Sequence, residues 1–371
     1  MIDPIALSVP GFFLAIGVET AVAKKRGLPV YRLTDSLTDL SCGVASQLEV
    51  AFFGAMQLGI YAWLYANARV LTLGGWIGWV VAFFGVDFLY YWWHRLSHEV
   101  NFFWAAHVVH HQSEEYNLTV ALRQSITTGW SVLPFYLPLA LLGVPTAVFA
   151  ITHALSTLYQ FWVHTRLVRK IHGPLDWILN LPHHHRVHHA INPQYLDKNY
   201  GATLIVWDRL FGTYIEEEEA CVYGITRPLA SFNPLWAQLH VWVDLVRQTF
   251  TLRGLDRVRI WFASPAWKPK SAAPVPIVDL AHRTKFDVEL GPGTRRYVLV
   301  QYVLLLVATG VLMQAKATIS RDLLIVASLG IGGGLVSLGG LMERKRWAVP
   351  LEVGRLGAAA VAVAMLLGGH R

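Results

Sequence analysis

Residues 74–99 read GGWIGWVVAFFGVDFLYYWWHRLSHE. Up to Trp93 the stretch carries a single charge, Asp87, and a helix needs roughly 20 such residues to cross about 30 Å of hydrocarbon. It then turns polar and presents His94 and His98, four residues apart. Side chains four apart share a helix face, so the stretch predicts a membrane helix whose end aims two imidazoles at one point.

The same test of length and polarity, applied outward, finds more spans. One runs from 5 to 23 and is followed by Lys24, Lys25 and Arg26; another covers 45–66. The apolar run 129–163 is too long for one span and is broken by Pro134, Pro138, Gly143 and Pro145, which predicts a helical hairpin or helix pair. Three further spans, 297–314, 323–342 and 349–368, close the chain, and the Gly and Ala of the last two favour close packing in lipid. Over 371 residues, 54% are hydrophobic and 15% charged, against about 25% charged in a soluble domain. The net charge of +7 comes from Lys and Arg beside apolar runs, so it reads as membrane-flanking charge, with no nucleic acid partner expected. The positive-inside bias puts 24–26 and ERKR at 343–346 on the cytoplasmic face, where the third span delivers His94.

Sixteen histidines occur, and eight of them fall into spaced sets: HRLSH (His94, His98), HVVHH (His107, His110, His111) and HRVHH (His185, His188, His189). On helices each set can offer two or three imidazoles to one point. Eight ligands exceed the four of a tetrahedral zinc site, so two metal ions are expected. The two cysteines, Cys42 and Cys221, form no CxxC pattern, so any metal is held by nitrogen and oxygen. Ionisable clusters at a membrane are costly and generally functional. Arg95 stands where the HExxH motif has its general base, which argues against a metalloprotease. The isolated His153, His172, His240, His282 and His370 read as packed or interfacial side chains. The aromatics at 88–93 and 102–104 fit an interfacial belt as well as they fit substrate contact.

The fold class expected is an all-α integral membrane protein, a multi-span helical bundle with a cytoplasmic histidine-rich dimetal helical cap. Its parts would be N-terminal transmembrane helices (1–84), a catalytic region with the histidine sets (85–240), a cytoplasmic connector (241–296) and C-terminal transmembrane helices (297–371). The connector contains the Pro-rich SPAWKPKSAAPVPIVD at 264–279, read as a surface linker.

The order HxxxH, HxxHH, HxxHH in a multi-span chain resembles the fatty acid hydroxylase and sterol desaturase superfamily of membrane-bound dimetal oxygenases. DFLYYWWHRLSHE, HHQSEEYNLTVALRQS, QFWVHT and HHRVHHAINPQYLDKNYGATLIVWDRLFGT are most similar to its glyceryl-ether-cleaving branch. The resemblance implies that His94, His98, His107, His110, His111, His185, His188 and His189 ligate metal, with His164 of QFWVHT as a further ligand. It implies a role in activity for Glu99. His184 matches a family position outside the spaced triad, where support and ligation are equally open, and His183 reads as incidental. Glu114, Glu115 and Asn117 are open to cofactor or substrate contact or to helix capping. Gln112 and Ala190 depart from the usual Ser and Gly beside the site. Asp87, Asp197 and Asp208 are expected to fix the outer ring nitrogens.

The implied cofactors are two iron ions, which zinc readily replaces during preparation, and tetrahydrobiopterin or another external reductant such as a redox protein. No GxGxxG fingerprint for an internal donor occurs. The implied partners are O2 and a membrane lipid, hydroxylated beside an ether oxygen so that it collapses to an aldehyde and a glycerol derivative. Hydroxylation or desaturation of a sterol, fatty acyl or carotenoid-like chain is the alternative within the same chemistry. A metal transporter or sensor is a remote third reading.

Overall fold

The computed structural model describes residues 4–269, 279–280 and 282–368, and its regular structure is helical, with isolated β-bridges but no strand among the described residues. In chain order the helices are α1 Pro4–Lys25, α2 Leu33–Ala68, α3 Gly75–Glu99, α4 Asn101–His111, α5 Leu118–Ala121, α6 Thr128–Leu142, α7 Thr146–Trp162 and α8 Pro174–Ile178. They continue with α9 Pro182–His188, α10 Val206–Phe211, α11 Pro234–Thr251, α12 Asp256–Phe262, α13 Pro292–Ala315, α14 Arg321–Met342 and α15 Ala348–Gly368. Most of the Pro-rich stretch expected as a linker, and His370, lie outside the described residues.

Among the described residues, four helices are long and apolar enough to cross a membrane: α1 over Leu7–Lys25, α2, α13 and α14. The stretches 74–93 and 349–368 also fold as helices, α3 and α15, but fall outside those four. In α3 the cause is its Trp, Tyr and Gly content together with Asp87. The run 129–163 forms the helix pair α6 and α7. Pro134 and Pro138, expected as interruptions, lie inside α6; the chain turns instead at Gly143, whose φ is +104°. A Cβ there would also run into the Leu71 carbonyl, so glycine is required twice over.

α2 starts twelve residues before the apolar stretch 45–66 that announces it. At 36 residues it is roughly 54 Å long, well beyond the hydrocarbon thickness. Its first turns carry Thr34, Asp35, Thr38 and Asp39, all buried. Polar residues at such depth need partners. Thr119 donates to Asp39 at 2.8 Å, Arg123 pairs with Asp39 at 3.1 Å, and Ser113 donates to Asp35. These contacts bind the outer end of α2 to the segment following α4.

Two apolar clusters meet along α2. Leu37, Val44 and Leu48 pack on Val298, Tyr302, Leu335 and Leu338 of α13 and α14. Farther along, Tyr61 packs with Val86, Trp93, Tyr136 and Phe149 of α3, α6 and α7, and stacks on Phe149 at 4.1 Å between ring centroids. Fully burying such side chains stabilises by about 1.5–3 kcal/mol each. Trp93 closes this second cluster and donates its indole N–H to Ser131 at 3.1 Å. The next residue is His94, so the packed bundle fixes where the first imidazole emerges. After the break at Val100, Asn101 holds α4 in place through its backbone N–H to Ala263 (2.9 Å) and its amide to Ile260 (2.9 Å).

Candidate metal centre

α3, α4, α9 and the turn after α7 bring nine histidines into two adjoining groups. His94, His98, His107, His111 and His188 form the first; His110, His164, His185 and His189 form the second. Within each group the ligand atoms lie within 4.8 Å of one another. The two HxxHH sets therefore divide, although each looked in sequence as if it served one point, whereas His94 and His98 stay together. His107 and His111 face the first group and His110 the second, while His185 and His189 face the second and His188 the first. Helical geometry explains the division: at about 100° per residue, positions i and i+4 diverge by only about 40°, whereas i+3 and i+4 diverge by about 100°. Each HxxHH helix thus stands between the groups and serves both.

The outer nitrogens reveal the tautomers. His94 Nδ1 lies 2.7 Å from the Tyr200 carbonyl, His110 Nδ1 3.0 Å from that of Arg123, His164 Nδ1 2.7 Å from that of Gln160, and His188 Nδ1 3.0 Å from that of Lys198. A carbonyl accepts only, so each Nδ1 carries the proton and each Nε2 is left with a lone pair. Those lone pairs point inward. His110 and His164 Nε2 face each other at 3.2 Å, and His164 and His185 Nε2 at 3.0 Å. In the first group, His94 and His111 Nε2 approach His107 Nε2 at 3.0 and 3.1 Å, and among the described residues the buried Nε2 atoms of His98 and His188 have no hydrogen-bond partner. Burial lowers the pKa of His110 to about 4, so at neutral pH it has no second proton to place between the rings. A cation between facing lone pairs satisfies them all, and an all-imidazole donor set suits zinc, iron, copper or nickel.

The carboxylates expected to fix the ring nitrogens act one step farther out. Asp208 accepts the backbone N–H groups of Tyr200 and Gly201, both at 2.7 Å, and the Thr213 hydroxyl at 2.7 Å. Asp87 accepts the N–H groups of Thr203 and Leu204 and the Trp207 indole. They hold the loop whose Tyr200 carbonyl holds His94. For Asp197 no such role emerges; burial and the Glu99 charge raise its pKa. Burial likewise pushes Asp208 up, to about 6.

Tyr200 was not singled out by sequence reasoning. Its ring lies 5.4 Å from that of His98 and 5.9 Å from that of His188, and its buried hydroxyl has no hydrogen-bond partner among the described residues. A tyrosine in an irregular loop carries no periodic signal, so spacing could not have found it. Tyr116 was also missed; it packs on His164 and His189 and donates to the Val163 carbonyl at 3.1 Å.

His183, read as incidental, is fully buried and lies 2.7 Å from Asp176 through Nε2. His184 Nε2 is 3.0 Å from the same carboxylate oxygen. These three could hold a metal by proximity, but the tautomer of His184 is the reverse of the one just described. The Leu181 backbone N–H donates to its Nδ1 at 3.2 Å, so the ring proton sits on Nε2, facing Asp176. A protonated nitrogen offers no lone pair to a metal, and the triad locks the first turn of α9 through the His183–Asp176 hydrogen bond.

Glu99 stands outside both groups, with a side chain 40% exposed and paired to Arg95 at 2.9 Å. Glu114 accepts the Phe286 N–H, and Glu115 pairs with Arg32 (2.6 Å) and Lys285 (2.7 Å), fastening the segment before α13 to the start of α2. Asn117 caps α5 by accepting the Thr119 N–H. Gln112 accepts from Arg123 and donates to the Ala237 carbonyl, which joins α4 to α11.

The fatty acid hydroxylase family profile matches residues 79–213, the interval that holds all nine histidines. The chain is similar to alkylglycerol monooxygenase of Xenopus tropicalis, 38% identical over 350 residues that make up 92% of this chain and 78% of that protein. It is 36% identical to alkylglycerol monooxygenase of Homo sapiens over 94% of this chain and 80% of that protein. An ornithine lipid hydroxylase of Rhizobium tropici is 33% identical over 46% of this chain and 51% of its own length. No solved structure gives a significant match. With its helical architecture and its paired histidine groups inside the matched interval, the chain belongs to the fatty acid hydroxylase family.

Proposed function

We propose that the chain is an integral-membrane lipid monooxygenase that binds two metal ions, iron in the working enzyme, one in each histidine group. The observation that carries this reading is the pair His110 and His164: both outer nitrogens are committed to carbonyls, and both lone pairs face inward 3.2 Å apart. The substrate class follows from the relatives, two of them named for alkylglycerols, so the favoured reaction is hydroxylation beside a glyceryl ether oxygen. Two iron ions, with electrons from a tetrahydropterin or another external donor, would supply the reduction of O2 and the oxidation of the C–H bond. The resulting hemiacetal would collapse to an aldehyde and a glycerol derivative without a protein nucleophile.

The protein's own part is positioning and exclusion. Carbonyls of Tyr200, Arg123, Gln160 and Lys198 hold His94, His110, His164 and His188 in the ligating tautomer. Trp93, Tyr116 and Tyr200 pack around the groups and keep bulk water from the reacting atoms. Among the described residues the buried Tyr200 hydroxyl, beside the first group, has no hydrogen-bond partner and is open to an incoming ligand. Glu99, next to His98, is proposed to act from the outer side of that group through its pair with Arg95. The basic cluster 24–26 supports a site on the cytoplasmic face. The catalytic region is taken as 85–240, between helices at 1–84 and the connector and helices of 241–371.

Hydroxylation without ether cleavage is the second reading, favoured by the likeness to an ornithine lipid hydroxylase. One experiment decides: iron-loaded protein in lipid nanodiscs is given alkylglycerols, acyl lipids and sterols under 18O2, with and without tetrahydropterin, and the products are read by mass spectrometry. Fatty aldehyde from the alkylglycerol is the expected product. A hydroxylated acyl chain selects the second reading, and no oxygen incorporation by protein with two iron equivalents overturns both.

A further inference from the structure

Helix α1 has two different sides. Val9, Phe13 and Leu14 are 40%, 39% and 70% exposed and face outward from a helix apolar enough to span the bilayer. The other side borders a groove of about 660 Å³, completed by α7 and residues 165–168 and lined almost wholly by apolar atoms. That volume is within the roughly 300–1,000 Å³ of small-molecule sites. From Val22 to Leu7 the groove follows fifteen residues of α1, roughly 22 Å, more than the hydrocarbon depth of one leaflet at about 15 Å.

Its two ends differ. The Leu7 end lies within the apolar part of α1. The other end, at Val22, Leu167 and Val168, adjoins Arg26, which donates to the Leu167 carbonyl at 3.3 Å and belongs to the basic cluster that marks the membrane boundary. Near that end lies the groove's single carboxylate, Glu19, only 3% exposed. It accepts the Leu118 N–H at 2.8 Å and the hydroxyls of Tyr31 and Thr165. Thr165 directly follows His164 of the second histidine group. The polar end of an otherwise apolar groove is thereby fixed one residue from a proposed metal ligand.

We propose that this groove seats the hydrocarbon chain of a lipid drawn from the bilayer, chain toward Leu7 and polar head toward Thr165 and the basic cluster. In that orientation the carbons nearest the head group lie closest to the second histidine group, and the far end of the chain is measured along α1. The proposal rests on the lipid monooxygenase reading and adds to it where the chain binds and what limits its length.

Gly11 offers the test. It lines the groove, and a Cβ there meets nothing within 4 Å, so larger side chains at this position enter the groove and not the neighbouring backbone. In Gly11→Leu and Gly11→Phe the preferred chain should shorten stepwise, with kcat/KM for the longest chains falling at least tenfold and that for short chains held. Leu14→Phe, on the outward side, should keep the wild-type profile. Independently of turnover, metal-free wild-type protein in nanodiscs carrying a lipid with a diazirine at its chain end should be labelled on α1 and α7 peptides facing the groove, and Gly11→Phe should reduce that labelling. Labelling confined to the outward side of α1, or an unchanged chain-length profile in both Gly11 variants, overturns the groove even if oxidation proceeds. Labelling in the groove without oxidation of any lipid keeps the groove and removes the enzymatic reading.

Discussion

Helix α9 carries two kinds of histidine within seven residues. His185, His188 and His189 turn lone pairs toward other imidazoles, whereas His183 and His184 face the carboxylate of Asp176. Residue type and burial are shared; what each Nε2 faces differs, and for His188 and His184 so does the backbone partner of Nδ1. The Lys198 carbonyl fixes the proton of His188 on Nδ1, and the Leu181 N–H fixes that of His184 on Nε2. For these two, a backbone group, more than the density of histidines, separates ligand from support.

The largest effect that tests this contrast is removal of a lone pair from the second group. His164→Ala takes away a ring whose Nε2 faces both His110 and His185. Bound metal should fall from two equivalents to one by mass spectrometry, and activity by more than the roughly 10–100-fold that loss of an outer partner costs. Retention of two equivalents would break the assignment of His164 to the ligating kind.

A smaller effect is expected from pH. His110 is lowered from 6.5 to about 4, chiefly by burial. Between those values the unfolded chain binds more protons than the folded one, so stability of the metal-free protein should fall as pH drops from 6.5 toward 4. The slope from His110 alone is about 1.4 kcal/mol per pH unit. Metal occupying Nε2 opposes protonation, so loading with metal should move the loss to lower pH in denaturation scans. His183→Gln, on the supporting side of the contrast, should leave that metal-induced shift intact.

The sequence showed the helical class, most element positions and eight of the nine converging histidines, because apolar length and helical spacing are local signals; His164, in no spaced set, came only from the family resemblance of QFWVHT. The extension of α2 back to Leu33 could not be read, since its buried Thr34, Asp35, Thr38 and Asp39 look like surface residues until Ser113, Thr119 and Arg123 supply partners from elsewhere. The division of each HxxHH set between two groups follows from helix geometry, but only once the facing helices are known. Tyr200 and the lock on His183 depend on contacts across loops, where sequence carries no period. Asp87 and Asp208 were noticed for their charge and assigned to the wrong atoms, because a carboxylate holding a loop and one holding an imidazole look alike in sequence.

The smallest effect belongs to Asp176, and it tests the contrast from the other side. If His183 and His184 are supports, Asp176→Ala leaves the buried His183 Nε2–H without its acceptor, at a cost of about 1–3 kcal/mol, and frees the first turn of α9. His185, His188 and His189 keep their own partners, so the variant should retain two metal equivalents, unfold at lower denaturant concentration and lose less than about tenfold in activity, the lower bound for an outer partner. Asp176→Asn, which still offers a carbonyl oxygen to one ring, should recover part of the stability. If wild-type protein instead binds three equivalents and Asp176→Ala two, the triad is a metal site and the tautomer set by the Leu181 N–H does not decide which histidines ligate. Metal content measured beside stability separates the outcomes, because a lock changes only the second and a ligand changes both.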